Sequence, residues 1–226
     1  MDEKYLADTI LFRGTSPQEI HSMLDCLQAK YRQYAKGETI LAAGIPVTSM
    51  GLVLSGSVRV ENNDIWGNTS VLGNAVPGEV FAETYACIPD EPLLVNVVAA
   101  EASKIVFLNM ERLLTPCSRS CPHHSRLIRN LLTISSQKNL NLSRRIFHTS
   151  SKTIRGRLLS YLSFQAAYHG SRTFIIPFNR QQLADYLSVE RSALSNELSK
   201  MQRDGILTVH RNEFCLNELS SSFPLP

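Results

Sequence analysis

The spacing of apolar residues changes character twice along this chain. In SPQEIHSMLDCLQA (residues 16–29), Ile20, Met23, Leu24 and Leu27 recur every three or four positions and predict a helix with one apolar stripe. Ser16 is a suitable N-cap, Pro17 suits the first turn and Glu19 stands at capping-box spacing. From Lys36 to about Asn109 the pattern shortens. β-Branched runs such as GETILAAG, MGLVLSGSVRVE and LLVNVVAAEASKIVFLN alternate with glycine, which predicts a barrel or sandwich of short strands. Gly51–Glu61 reads as one strand, with Asn62-Asn63-Asp64 as the hairpin turn after it.

Helical spacing returns between His124 and Phe147. Leu127, Ile128, Leu131, Leu132, Leu142 and Ile146 make an apolar seam with no Gly or Pro between them. Such a helix is ~35 Å long at about 1.5 Å per residue. It offers a face to the neighbouring strands or to a second copy of the chain. A further helix is expected over residues 152–168, stopped by Gly170, and FIIPF gives a short strand interrupted by Pro177.

The last third carries the pattern with most chemical content. Asn179 and Gln182 form a capping box for a short helix whose buried side is Leu183, Ala184 and Leu187. Ser188-Val189-Glu190 is a tight turn. A second helix follows to Arg203, with Leu194, Leu198 and Met201 on one face, and Gly205 stops it. Arg191, Ser192, Ser195, Asn196 and Ser199 spread over about 140° on the other side. Ile206–His210, a turn at Arg211-Asn212 and Glu213–Leu216 make a hairpin. Two short helices, a tight turn and a hairpin are the parts of a winged helix-turn-helix. The bland alternative is a helical hairpin whose polar face meets only water.

Charge favours the first reading. Residues 1–115 hold 8 Lys/Arg against 14 Asp/Glu, residues 116–150 hold 6 against none, and residues 151–226 hold 9 against 6. The overall +3 therefore hides an acidic front and a basic rear, as expected if only the rear meets a polyanion. A 43% hydrophobic share provides a sizeable core, and no apolar run approaches the roughly 20 residues of a membrane-spanning helix. The acidic start MDEKYLADTI is unlike a secretory signal, and five scattered cysteines do not make a disulfide framework. The expectation is a soluble, cytoplasmic protein. No phosphate-binding glycine loop and no carboxylate pair in a recognisable motif appears, so an enzyme is not expected.

RQQLADYLSVERSALSNELSKMQRDGIL resembles the DNA-binding domain of the Crp/Fnr transcription regulators. Upstream, Gly37-Glu38, Gly44, Leu54–Val58, Pro77-Gly78-Glu79 and Phe81-Ala82-Glu83 resemble the landmarks of that family's cyclic-nucleotide-binding-type β-roll. The resemblance implies an α+β protein. It would have an N-terminal double-stranded β-helix (a jelly-roll-like β-roll) over 1–115, a dimerisation helix and linker over 116–150, and a winged helix-turn-helix over 151–226. It implies a homodimer that binds a pseudo-palindromic duplex, meets RNA polymerase if it is an activator, and answers to a small-molecule effector. The DNA-contacting positions fall on Arg180, Glu190, Arg191, Ser192, Ser195, Asn196 and Ser199. The family often has Glu at the position of Ser192 and Arg at that of Asn196, so the usual half-site is not expected.

The same resemblance places an effector pocket near Glu79, Glu83, Leu93 and Leu94. Members that bind cyclic nucleotides hold the phosphate with an Arg-Ser or Arg-Thr pair, and Leu93-Leu94 stands there instead. A phosphate at that place would be desolvated without its bidentate cation, so no cyclic nucleotide is expected. The two leucines either fill the core or make the pocket greasier. Oxygen-sensing relatives cluster cysteines near the N-terminus. That cluster is missing, so no iron–sulfur centre is expected. Cys117, Cys121, His123 and His124 are the one Cys/His concentration, and whether they have a redox or metal role stays open. A ligand receptor that acts on a protein partner, with a vestigial helix-turn-helix, is the alternative function.

Overall fold

The computed structural model describes residues 3–63, 66, 69–115 and 122–217. The chain divides into two compact units, Met1–Gln137 and Lys138–Pro226, so the division falls inside the long helix.

In the first unit, short helices α1 (Glu3–Asp8) and α2 (Pro17–Cys26) precede the strands. The capping box of α2 forms as expected, with the Glu19 amide bonded to the Ser16 hydroxyl and the Ser16 amide bonded to the Glu19 carboxylate. Among the described residues eight strands follow: β1 (Lys30–Tyr34), β2 (Thr39–Leu41), β3 (Ser49–Ser55), β4 (Val58–Asn63), β5 (Thr69–Ala75), β6 (Val80–Phe81), β7 (Asn96–Ala99) and β8 (Ser103–Asn109). They form two four-stranded antiparallel sheets, ordered β1-β8-β3-β6 and β2-β7-β4-β5. Val53, Phe81 and Ile105 from the first sheet and Val58, Ala75 and Val97 from the second make one core. Val106 and Leu108 of β8, with Met50 and Leu52 of β3, join a second core shared with Leu6, Phe12, Ile20 and Met23. Burial on both faces explains why SKIVFLN reads as a continuous apolar run rather than an alternating one.

The expected strand Gly51–Glu61 is two strands. It breaks at Gly56, whose φ of +77° belongs to the left-handed region, and an added Cβ would lie 2.4 Å from the Ala102 carbonyl oxygen. Asn62 and Asn63 are not turn residues either. They pair with Ser70 and Thr69 of β5, and Asp64 lies outside the described residues.

Helix α3 (Glu83–Ala86) and helix α4 (Met110–Leu114) flank the strands, and α5 (Pro122–Thr149) then runs on into the second unit. The seam read along α5 separates into two faces. Leu127 and Leu131 are buried with α1 and α2, whereas Leu132, Leu142 and Ile146 are 65%, 62% and 69% exposed. Those three exposed residues fall within about 80° of one another around the helix axis. Among the described residues, no helix is long and apolar enough to cross a membrane.

The second unit contains α6 (Ile154–His169), β9 (Thr173–Ile175), α7 (Arg180–Leu187), α8 (Arg191–Arg203), β10 (Leu207–His210) and β11 (Glu213–Leu216). The last two strands pair as a hairpin with β9 on its outer side, ordered β10-β11-β9. Leu158, Leu162, Phe174, Leu183, Leu194, Leu198, Met201, Leu207 and Phe214 form its core.

Candidate functional site

The site is built on α7 and α8. The Asn179 side chain accepts from the Gln182 amide at 2.9 Å, and Gln182 returns a bond to the Asn179 amide at 2.8 Å. This capping box starts α7 at the residue the sequence predicted. Ser188 ends α7 with φ +53°, a left-handed C-cap. Glu190 occupies the N-cap of α8 without a side-chain capping bond, and it accepts instead from the Ser192 hydroxyl. Val189 is half-buried and packs on the core between the helices.

Leu194, Leu198 and Met201 hold α8 inward, with at most 2% of each exposed. Arg191, Ser192, Asn196 and Ser199 are exposed on its outer face and Ser195 is half-buried. The Ser199 hydroxyl bonds back to the Ser195 carbonyl at 3.0 Å. Arg191 and Asn196 have no side-chain partner among the described residues, so their donors are available to a ligand. Arg180 stands apart from this face. Its guanidinium reaches the Arg211 carbonyl at 3.3 Å and lies 6.0 Å from the centroid of the Phe214 ring, tying α7 to the hairpin, and burial pushes its pKa down.

Three arginines that the sequence did not single out fix this helix pair. Arg157 of α6 donates to the Leu187 carbonyl at 3.0 Å, the Ser188 carbonyl at 2.9 Å and the Ser151 carbonyl at 2.8 Å. Arg145 of α5 donates to the Tyr186 carbonyl at 3.1 Å and the Asp185 carbonyl at 2.9 Å. These two cations satisfy carbonyls at the C-terminus of α7, where the backbone dipole favours positive charge. Arg155 pairs with Glu197 at 2.6 Å and Asp204 at 2.7 Å, holding the inner edge of α8. The hydrogen bonds to Glu197 and then Asp204 raise its pKa, so its charge is fixed. No local pattern reveals these contacts, because most of the partners lie 30 to 42 residues away in sequence.

Behind the helices, His148 of α5 is 1% exposed. Its ring meets Tyr161 and Phe164 edge-on and lies tilted against Tyr186, with centroids 5.5, 5.2 and 6.1 Å away. Its Nδ1 is 3.3 Å from the Ser160 hydroxyl. Burial, and next the neighbouring Arg144, push the His148 pKa down, so the ring is kept neutral. Burial pushes the Tyr161 and Tyr186 pKa values up.

In the first unit the four effector-pocket candidates have different fates. The Glu79 carboxylate accepts from the Val76 amide at 3.0 Å and locks its own turn. Glu83 is buried at the start of α3. Leu93 is buried and its backbone bonds to Gly44 and Ile45, but Leu94 is 69% exposed. The two leucines therefore do not fill the core together: the backbone between β6 and β7 turns one in and the other out. Cys117 and Cys121 lie outside the described residues, as does the side chain of His123. His124 is buried, and its ring nitrogens have no hydrogen-bond partner among the described residues. Cys26, Cys87 and Cys215 take part in no disulfide, and among the described residues no three metal-ligating side chains converge.

Comparison with known proteins agrees with this architecture. Residues 31–120 match the family model of the cyclic nucleotide-binding domain, and residues 156–220 match that of the Crp-like helix-turn-helix domain. Among curated proteins, the chain is 25% identical over 195 residues to the transcriptional activator protein FnrA of Stutzerimonas stutzeri, covering 84% of this chain and 78% of that one. It is 24% identical over 208 residues to the cyclic AMP receptor protein of Thermus thermophilus, covering 87% of each. Among solved structures, CprK in complex with OCPA superposes with a TM-score of 0.62 at 16% identity, over 86% of this chain and 90% of that one. The c-di-GMP responsive global regulator CLP of Xanthomonas campestris does so with a TM-score of 0.56 at 18% identity, over 90% and 100%. With the β-roll in front and the helix-turn-helix behind matched in that order, and the long helix running between them, the chain belongs to the Crp/Fnr family of transcription regulators.

Proposed function

We propose that this regulator acts as a homodimer that reads a pseudo-palindromic operator with α8. Its β-roll answers to a small-molecule or redox effector other than a cyclic nucleotide. The observation that carries the reading is the outer face of α8, where Arg191 and Asn196 keep their donors free, on a helix pair braced by Arg155 at α8 and by Arg145 and Arg157 at the end of α7. Arg191 has the fork that grips guanine O6 and N7, and Asn196 suits adenine N6 and N7. Ser192, Ser195 and Ser199 are short enough to let the helix approach, and Glu190 can accept from cytosine N4. Arg180, at the α7–hairpin junction, is assigned to a phosphate. Half-site centres should lie roughly 34 Å apart if two copies bind successive major grooves. The exposed stripe Leu132, Leu142 and Ile146 is assigned to the dimer contact. Glu83, already buried, and Leu93 are assigned to the pocket wall, which offers no cation at the position of Leu93-Leu94. A DNA-binding regulator of this kind works in the cytoplasm, and RNA polymerase is its partner if it activates.

The test is duplex binding by the full chain across a salt series. Affinity should fall steeply as salt rises, as counterion release requires. Arg191→Ala should weaken the preferred duplex by about 10–100-fold, an order of 1–3 kcal/mol, and weaken random duplex far less. Absence of salt-dependent binding to any duplex, with or without candidate effectors, would sink the reading in favour of a receptor that acts on a protein partner.

A further inference from the structure

The recognition helix takes its position from the backbone turn in front of it, and that turn is held from the long helix. Arg145 lies about two turns into the part of α5 that belongs to the second unit. Its Nε and Nη2 bond to the carbonyls of Tyr186 and Asp185, in the last turn of α7 before the bend to α8. The Asp185 carbonyl also accepts the Ser188 amide at 3.2 Å, the bond that closes the left-handed cap. One carbonyl therefore joins the side chain from α5 to the backbone bend that aims α8. Two neighbours seat the same stretch of α5. The Arg144 guanidinium lies 5.4 Å over the Phe164 ring of α6, and His148 fills the cage of Tyr161, Phe164 and Tyr186.

Arg157 and Arg155 also brace the helix pair, but both come from α6. Of these three arginines, Arg145 alone reaches the turn from α5. We infer that Arg145 is a positioning residue for DNA reading: it latches α5 to the α7–α8 turn and sets the pitch at which α8 meets the groove. The inference rests on the DNA-reading role proposed above. Its chemistry is specific to arginine, since two donors in one plane span two successive carbonyls and a lysine ammonium does not reproduce that fork. It also differs from a phosphate contact, because two of the three guanidinium nitrogens, Nε and Nη2, are already engaged with backbone oxygens.

The experiment compares the full-length wild type with Arg145→Ala and Arg145→Lys. Each is titrated with a duplex selected from a random pool by the wild type and with a scrambled duplex, over a salt series. Hydrogen exchange of the backbone spanning residues 184–191 is followed by mass spectrometry. Both variants should lose about tenfold on the selected duplex, the order of one mismatched base pair. They should lose less than about twofold on the scrambled one, with the salt slope unchanged. Exchange across the turn should quicken in both. Equal losses on the two duplexes, a slope reduced by about 0.9 and rescue by lysine would show a phosphate contact and overturn the latch. Unchanged exchange in both variants overturns it as well. If the wild type itself binds neither duplex, the DNA-reading role fails, and the exchange measurement alone still decides whether Arg145 holds the turn.

Discussion

Replacing Arg157 by alanine removes three bonds at once. Its guanidinium joins Ser151, in the linker before α6, to Leu187 and Ser188 at the end of α7 over 2.8 to 3.0 Å. A charge-assisted bond to a buried carbonyl contributes about 1.5–3 kcal/mol. Arg157 is half-buried, so screening brings each bond nearer to ~1 kcal/mol. Its charge at the C-terminus of α7 adds about 0.5 kcal/mol through the helix dipole. The sum is about 3.5 kcal/mol. In a unit of this size each 1 kcal/mol moves the midpoint by about 4–8 °C, so Arg157→Ala should lower it by roughly 14–28 °C. Arg157→Lys keeps the charge and one donor centre and should lose about half as much. Differential scanning calorimetry of the full chain measures the shift, and hydrogen exchange in α7 and α8 assigns it to the second unit. A midpoint for Arg157→Ala within about 2 °C of the wild type would refute the reasoning.

Protonation of His148 should make the second unit acid-sensitive. Its folded pKa is depressed by burial, so below the unfolded value of about 6.5 the unfolded chain takes up a proton that the folded one refuses. Stability is complete above that value and falls with pH by at most about 1.4 kcal/mol per unit until the folded pKa is reached. His148→Phe should flatten that slope, and equal slopes in the two proteins would contradict the cage. Ile146→Glu should turn the proposed dimer into a monomer in sedimentation velocity, because the exposed stripe of α5 would carry a charge into the proposed contact; a wild type that is itself monomeric refutes the dimer, and a dimer unchanged by the substitution places the interface elsewhere. Cyclic AMP and cyclic GMP should not shift the melting of the first unit, whereas a ligand at about 100 times its Kd adds about 2.7 kcal/mol, so a clear upward shift would overturn the argument from Leu93-Leu94.

Most of the architecture was readable wherever a residue acts on near neighbours. Ser16 and Glu19, Asn179 and Gln182, and the 3.6-residue spacing of Leu194, Leu198 and Met201 each signal through the next turn of chain, and each appears where expected. The break at Gly56 was missed because β-branched residues on both sides keep the strand pattern going, and the cause is the close approach of Ala102 and Ser103 from far along the chain. Helices α1, α3 and α4 are too short for periodicity to show. Leu93 and Leu94 look equivalent in sequence, and only the path of the backbone separates them. The arginine bracing of α7 and α8 depends on tertiary geometry, and three identical letters gave no hint that each has a different set of partners. The residues proposed to face DNA were legible as a polar helical face, whereas what positions that face was not.

The two faces of α5 place a constraint on how the first unit can change. Leu131 is 5% exposed and packs into the roll-side core, while Leu132, the next residue, is 65% exposed on the free stripe. Their directions differ by about 100°, fixed by the helix itself. An α-helix is stiff to twisting, because a turn about its axis that moves one residue and spares the next would break its backbone bonds. Any repacking of the roll that rolls Leu127 and Leu131 in their sockets must therefore swing Leu132 through the same arc. The helix behaves as a spindle: whatever grips it on one side decides which surface it presents on the other.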